Sequence, residues 1–112
     1  MKHGDIWLVD LNPQIGTEPG KIRPVVVVQT DLLNNIHPST IICPITSEVR
    51  PKSDILRIHI KAKKGGLKKN SDILADQIRA IDNKRFITKL DKLTKANLEK
   101  LRTNLKIILD LE

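Results

Sequence analysis

The hydrophobic and polar positions of the chain form several short apolar runs followed by one long amphipathic stretch. Residues 5–11, 25–28 and 40–45 are mostly apolar and predict strands, the first of them ended by the turn signal Asn12-Pro13. Residues 25–28 are four consecutive valines, which are typical of a strand buried on both faces. Pro44 cannot donate to a strand ladder, so its strand is predicted to lie at a sheet edge or to end in a bulge there.

Periodicity changes along the second half of the chain. Residues 54–60 alternate as in a strand with one wet face, and residues 61–69, with five lysines and two glycines, predict a flexible basic loop. Residues 72–82 predict strands with a break near Asp76-Gln77. Residues 94–111 predict a helix with Thr94 as N-cap, because their apolar residues share one helical face: Leu98, Leu101, Leu105, Ile108 and Leu109.

About five short strands and one amphipathic helix therefore predict a mainly β fold, a small and strongly bent antiparallel barrel closed by the C-terminal helix. A length of 112 residues suits a single domain, 1–112, with one modest core. No apolar run is long enough to span a bilayer, and the N-terminus lacks the pattern of a signal peptide, so a cytoplasmic location is expected. The single cysteine, Cys43, lies in an apolar run and is expected to be buried and inert.

The charge is concentrated in one half of the sequence. The net charge is +7, and residues 57–112 carry fifteen of the twenty Lys and Arg side chains but only seven of the thirteen Asp and Glu side chains. A basic half on a small domain is typical of a nucleic-acid binder. With one Trp, one Phe and no Tyr, the chain has no aromatic platform for stacking bases, so contacts must rest on phosphates, hydrogen bonds and arginine planes.

The sequence from Gly16 to Asp31 places an arginine where a loop enters the valine strand. Arg23 is held at the mouth of that strand, while its guanidinium can present a fork of donors to a phosphate. A surface arginine paired with Glu18 or Asp31 is the alternative from this residue alone.

Four blocks of sequence resemble the MazF/PemK family of toxin endoribonucleases, also called mRNA interferases. They occur in family order, and the resemblance extends from about Gly4 to Asp82. The blocks are residues 4–13 (GDIWLVDLNP), Gly16-x-Glu18 with Arg23-Pro24 and the valines, Pro44-Ile45-Thr46-Ser47, and residues 75–82 (ADQIRAID).

The resemblance implies an SH3-like barrel of the PemK/CcdB type that forms a homodimer with RNA in a groove along the interface. It implies sequence-specific cleavage of single-stranded RNA without a metal or other cofactor, in which a 2′-OH attacks its own phosphate to leave a 2′,3′-cyclic phosphate and a 5′-OH. It also implies a toxin–antitoxin module in which a cognate antitoxin with an acidic, disordered tail inhibits the toxin.

The family roles transfer to particular positions. Arg23 and Thr46 match the catalytic pair, and their donors suit stabilisation of charge on a phosphate. Glu18 is either the base that takes the 2′-proton or a carboxylate that orients Arg23. Residues expected to bind substrate are Ser47, Asp76, Gln77 and Arg79.

The sequence departs from the PemK/Kid branch, which has a histidine after the first glycine and an arginine two residues before the aspartate of its DQ motif. Thr17 and Leu74 occupy these positions, so the MazF branch and its Arg/Thr pair are the better match. A non-catalytic toxin of the same barrel fold that binds a protein such as DNA gyrase is the main alternative, although the chain lacks the tryptophan-containing tail of those toxins. A basic RNA-binding module without catalysis is the third.

Overall fold

The structure, a computed structural model, describes residues 1–13, 15–17 and 21–111. These residues form seven strands, one α-helix and two short 3-10 turns, at Ala75–Gln77 and Asn83–Arg85. The strands and the helix are β1 (Asp5–Asp10), β2 (Ile22–Val27), β3 (Ser39–Thr46), β4 (Arg57–Ile60), β5 (Ser71–Leu74), β6 (Arg79–Asp82), β7 (Phe86–Lys92) and α1 (Lys95–Ile108).

All strand pairs are antiparallel and run in the order β4-β5-β3-β2-β1-β7, with β6 also paired to β3. The mainly β fold with a C-terminal helix is therefore confirmed. Within the described residues the terminal strands β4 and β7 do not pair, so the sheet stays open instead of closing into the expected barrel. The sequence pattern did not predict β7 at all.

β3 is the central strand of the sheet, and its expected position at an edge was wrong. It pairs with β2 on one side, where Pro44 lies opposite Val25. On the other side it pairs with β6 up to Ile42 and with β5 from Ile45 onward. Pro44 therefore lies in the interval where β3 changes neighbours, and there its missing N–H removes no ladder bond on that side.

The core has two parts, one on each face of the central strands. Val26 packs into the larger cluster with Ile6 and Leu101, whereas Val25 and Val27 pack into the other cluster. All three valines are fully buried. This arrangement confirms the prediction that the valine strand is buried on both faces, since successive side chains of a strand alternate.

Helix α1 covers the larger cluster, and its start confirms the predicted N-cap. The Thr94 hydroxyl accepts a hydrogen bond from the Asn97 backbone N–H at 3.2 Å. Leu101 is fully buried, and Leu98, Leu105 and Ile108 pack against the cluster. No helix of the described chain is long and apolar enough to cross a membrane.

The lysine-rich segment 61–69 is anchored by the buried side chain of Leu67, and its turn contains a glycine with positive φ. Leu67 is buried in the larger cluster, and its backbone exchanges hydrogen bonds with Lys63 and Lys64. Gly65 has φ +61°, and a Cβ there would lie 2.7 Å from Ile6 Cδ1. The left-handed backbone favours glycine at this position, and the buried Leu67 holds the segment beside the ends of β2 and β3.

Candidate active site

A pocket of about 430 Å³ lies where β2 begins and β3 ends. The pairing of β2 with β3 ends where Val25 lies opposite Pro44, and Arg23 and Thr46 lie two residues beyond this pair at the same end of the two strands. Both residues line the pocket and both are half-buried, as expected of side chains at the ends of interior strands. The described lining consists of Lys21, Ile22, Arg23, Pro24, Ile45, Thr46, Ser47, Glu48, Leu67, Lys68, Lys69 and Ser71.

The Thr46 hydroxyl is oriented by the chain that follows it. The Glu48 backbone N–H donates to Thr46 Oγ1 at 3.2 Å, which closes a tight turn at the end of β3. A hydroxyl oxygen that accepts this bond retains its own O–H as a donor. The Thr46 O–H therefore remains available as a donor in the lining of the pocket, where Ser47 is the next residue.

The pocket is strongly cationic. Arg23 is joined by Lys21 from the loop before β2 and by Lys68 and Lys69 from the basic segment, against one carboxylate in the described lining, that of Glu48. The two lysines follow directly on the buried Leu67, so the anchored segment places them at the pocket rim. Such an arrangement favours a polyanion with closely spaced charges.

Glu48 was missed by sequence reasoning. It lies two residues after Thr46 at the end of a strand, and this position was the only available signal, because no local motif marks it. The carboxylate that the sequence did nominate, Glu18, lies outside the described residues.

The described lining of the pocket does not include Asp76, Gln77 or Arg79. The first two residues lie in the 3-10 turn after β5, and Arg79 begins β6 opposite Ile42. Thus the structure brings Arg23, Thr46 and Ser47 of the predicted set together and places Asp76 and Gln77 in that turn and Arg79 on β6, away from the described lining; Glu18 lies outside the described residues.

Behind the pocket, β5 carries a fully buried carboxylate that the sequence did not reveal. Asp72 Oδ2 accepts hydrogen bonds from the Arg50 backbone N–H at 2.8 Å and from Arg57 Nη1 at 3.1 Å. Its Oδ1 lies 2.7 Å from His59 Nδ1, and His59 Nε2 lies 3.3 Å from Asp54 Oδ1. These partners all lie in residues 50–59, whereas Asp72 is 13 to 22 residues further along, so no local motif joins the carboxylate to them.

Hydrogen bonding governs the protonation of this cluster. Burial alone would raise the pKa of Asp72, but the bonds from the Arg50 backbone, His59 and Arg57 outweigh it and lower that pKa. The hydrogen bond to Asp72 is the main reason that the pKa of His59 is raised. The cluster therefore favours an ionised carboxylate beside a protonated imidazole.

Two further side chains lie in apolar surroundings, and for Cys43 this confirms the prediction of a buried, inert thiol. Burial, helped by the charge of Asp76, raises the pKa of the Cys43 thiol to about 12, so the thiol is not a nucleophile. Trp7 packs edge-on against Phe86 at 5.7 Å between ring centroids and belongs to the second cluster. Among the described residues, no three His, Cys, Asp or Glu side chains are grouped to hold a metal ion.

The fold and the pocket together define a small antiparallel β-protein with a cationic pocket that Arg23 and Thr46 line. A family model described as "PemK-like, MazF-like toxin of type II toxin-antitoxin system" matches residues 2–109. The chain belongs to this toxin family. The resemblance found in its sequence motifs is thereby confirmed.

Individual relatives agree with this assignment over almost their whole length. Endoribonuclease EndoA of Bacillus subtilis (strain 168) is 36% identical over 111 residues, which are 99% of this chain and 96% of that protein. The crystal structure of MazF (Form-I) from Deinococcus radiodurans is similar, with a TM-score of 0.83 and 26% identity over 99% of this chain and 97% of that one. A MazE–MazF structure (Form-III) from the same organism shares the fold, with a TM-score of 0.79 and 22% identity over 100% of this chain and 98% of the matched one.

Proposed function

We propose that this toxin is an endoribonuclease that cleaves single-stranded RNA at specific sequences, without a metal, through attack by the 2′-OH on the adjacent phosphate. Its products are a 2′,3′-cyclic phosphate and a 5′-OH. The endoribonuclease activity follows from membership of the toxin family and from 36% identity to a protein named endoribonuclease over 99% of the chain.

The observation that carries the finer proposal is the shared pocket of Arg23 and Thr46. Arg23 and Thr46, which are 23 positions apart in the sequence, line one cavity of about 430 Å³. Attack on phosphorus places extra negative charge on the non-bridging oxygens, and preorganised donors stabilise that charge. Arg23 supplies a permanent cation with two parallel N–H donors, and Thr46 supplies the third donor.

The proton of the attacking 2′-OH requires an acceptor, which an arginine with a pKa above about 12 cannot provide at neutral pH. We assign this role to a carboxylate. Glu48 lines the pocket two residues from Thr46. Glu18 is retained from the sequence prediction, either as the base or as the group that orients Arg23.

A pair of charge-neutralising variants separates these two assignments. In Glu48→Gln or Glu18→Gln, the variant that lacks the base should lose the acidic limb of its kcat/KM profile against pH, because that limb reports ionisation of the base. A variant that only disturbs Arg23 should lose rate and keep the limb. If both profiles keep the limb, a carboxylate base is excluded.

The rest of the binding surface is proposed from residue chemistry. The lysines of the pocket hold phosphates flanking the cut, and Ser47 adds a hydroxyl beside Thr46. Asp76 and Gln77 read bases through hydrogen bonds, and Arg79 holds a more distant phosphate.

The protein is further proposed to act in the cytoplasm as a homodimer that is inhibited by an antitoxin with an acidic, disordered tail. Its net charge of +7 and its cationic pocket are complementary to such a tail. A MazE–MazF structure from Deinococcus radiodurans has the same fold in its toxin chain, which supports a partner of the antitoxin kind.

The test is to incubate the purified protein with a long single-stranded RNA in EDTA and to identify the ends of the fragments. Discrete fragments with cyclic phosphate and 5′-OH ends are expected. A matched RNA in which only the 2′-OH at the mapped cut is replaced by hydrogen should bind nearly as well and remain intact, since phosphates dominate affinity. Cleavage of that deoxy bond, or a 5′-phosphate on the product, would show that another nucleophile attacks, and complete absence of cleavage would favour a non-catalytic toxin.

A further inference from the structure

We infer that the buried Asp72–Arg57 pair is a positioning device for the catalytic turn Thr46–Glu48, and that Arg57 and Asp72 are positioning residues of the RNA-cleaving site. The inference rests on the proposed function for its effect on rate, but its structural part can be measured without RNA.

A continuous set of hydrogen bonds joins the buried carboxylate to the catalytic hydroxyl. Arg57 Nη1 donates both to Asp72 Oδ2 at 3.1 Å and to the Glu48 backbone carbonyl at 2.8 Å. The N–H of the same residue, Glu48, donates to Thr46 Oγ1. The position of Glu48 is thus fixed on its carbonyl side by Arg57, and its amide side in turn fixes the Thr46 hydroxyl.

The same carboxylate holds the next part of the chain as well. Asp72 Oδ2 accepts from the Arg50 backbone N–H at 2.8 Å, only two residues beyond Glu48. Asp72 also pairs with Thr46 across β3 and β5, so its backbone adjoins the strand end from which the turn departs. Two of the three groups that donate to this one carboxylate therefore restrain the segment immediately after Thr46.

Burial makes this pair a rigid support. The Asp72 side chain is fully buried and that of Arg57 is 14% exposed. An ion pair at an exposed site is worth little and moves easily, whereas removing one partner of a buried pair leaves an uncompensated charge. Catalysis by oriented donors is sensitive to displacements of about 1 Å, which can cost roughly 100-fold in rate even when they originate away from the reacting atoms.

The loop between β3 and β4, residues 47–56, also has a second anchor, which supplies a matched control. Asn104 Nδ2 on α1 donates to the backbone carbonyls of Asp54 and Ile55, at 2.9 and 2.8 Å. This anchor holds the far end of the same loop and contacts neither Glu48 nor Thr46 in the hydrogen bonds of the structure. If the loop served only to stabilise the fold, loss of either anchor would have the same effect on kcat. If Arg57 positions Thr46, loss of the Arg57 anchor lowers kcat and loss of the Asn104 anchor does not.

The experiment compares Arg57→Met, which keeps the long apolar stem and removes every donor, with Asn104→Ala. Arg57→Met should lower kcat by about 10- to 100-fold. Its KM should stay within about twofold because the pocket lysines that hold phosphates are untouched. Asn104→Ala should keep kcat within about twofold of the wild type, even if it lowers stability as much as Arg57→Met does. The conservative Arg57→Lys retains a charged donor for Asp72 Oδ2 and for the Glu48 carbonyl oxygen. Its kcat should therefore lie between those of Arg57→Met and the wild type.

Two further measurements keep the inference testable whatever the stability of the first variant. Amide hydrogen exchange at Glu48 reads the turn without RNA, and it should quicken in Arg57→Met and Arg57→Lys but remain unchanged in Asn104→Ala. In a double-mutant cycle, Arg57→Met should cost much less in a Thr46→Val background than in the wild type, because the two residues act through one hydroxyl.

Unchanged exchange at Glu48, equal losses of kcat in Arg57→Met and Asn104→Ala, or additive effects with Thr46→Val would each overturn the inference. A wild-type protein that fails to cut RNA would instead overturn the proposed function, and the exchange measurement would still decide whether Arg57 holds the turn.

Discussion

Neutralising Lys68 and Lys69 tests whether the pocket holds the RNA backbone. Both lysines line the pocket beside Arg23, and the buried Leu67 anchors the segment that carries them. Each phosphate that a lysine neutralises on a single strand contributes about 0.7 to the slope of log K against log salt, because binding releases condensed counterions. Lys68→Gln/Lys69→Gln should therefore make the salt dependence shallower by about 1.4.

That slope converts into a measurable ratio. Raising salt from about 50 to about 200 mM should reduce the ratio of wild-type to variant affinity roughly sevenfold. The assay is fluorescence anisotropy with a non-cleavable 2′-O-methyl RNA of mixed sequence. The matched control is Lys63→Gln/Lys64→Gln, which removes the same charge from the same basic segment at residues outside the described lining of the pocket.

The reasoning predicts a small change of slope for the control pair, because lysines remote from the strand act only through the screened field of the protein. Equal changes of slope in the two double variants would refute it. A wild-type slope in Lys68→Gln/Lys69→Gln would do so as well, since the two lysines would then touch no phosphate.

Other consequences can be checked separately. Arg23→Lys should fold normally and lose roughly 100- to 1,000-fold in kcat, as typical for removal of one oxyanion donor, and near-normal activity would exclude the role assigned to its fork. Light scattering at micromolar concentration should give about twice 12.7 kDa, and a monomer would contradict the proposed dimer. The hydrogen bond to Asp72 raises the pKa of His59 in the folded protein. The stability that His59 contributes is therefore fully present below its unfolded pKa of about 6.5, and it is lost as pH rises through the higher folded value. Urea unfolding of wild type and His59→Gln should therefore differ most at about pH 6 and least at about pH 9, and a constant difference would contradict this coupling. Leu101→Ala, at a fully buried site under α1, should cost about 2–5 kcal/mol of unfolding free energy, whereas Ile107→Ala on the exposed face should change it by less than about 0.5 kcal/mol.

The parts of the fold that sequence predicted are those with a strong hydrophobic pattern. The valines of β2 and the apolar face of α1 are buried as their periodicity indicated, and the break at Asp76-Gln77 is the 3-10 turn between β5 and β6. β7 escaped prediction because only its first residue, Phe86, is even half-buried. It forms through backbone pairing with β1, which leaves no alternating pattern in the sequence.

Pro44 shows a different limit. The absence of its N–H led to the prediction of an edge strand or a bulge, but a break in the ladder has another possible origin. A strand can lie at an edge, or it can be central and exchange one neighbour for another. Only the pairing of β3 with distant β5 and β6 distinguishes these cases, and no local residue pattern encodes it.

The candidate site also contains some residues that the sequence predicted and others that it did not. Arg23 and Thr46 were found because contiguous motifs carry them, and the register of β2 and β3 brings them to one pocket. Glu48 and the Asp72 cluster were missed because their meaning depends on contacts between residues that are separated in sequence. Sequence reasoning thus recovers the residues proposed to act on the substrate more readily than the residues that hold them in place.

The pairing of β1 with β7 has a consequence for synthesis of the toxin in a living cell. β2, which carries Arg23, lies between β3 and β1, and β1 is completed only by residues 86–92 and by the bond from the Leu93 N–H to the Gly4 carbonyl. A chain that ends before Phe86 leaves β1 as a bare edge, and such an edge is prone to pair with other chains. Contacts between the two ends of the sequence also form late, since they close the longest loop. The Arg23 strand therefore gains its full set of neighbours only after residues 86–93 have been made, and we expect a chain truncated before Phe86 to lack a folded site.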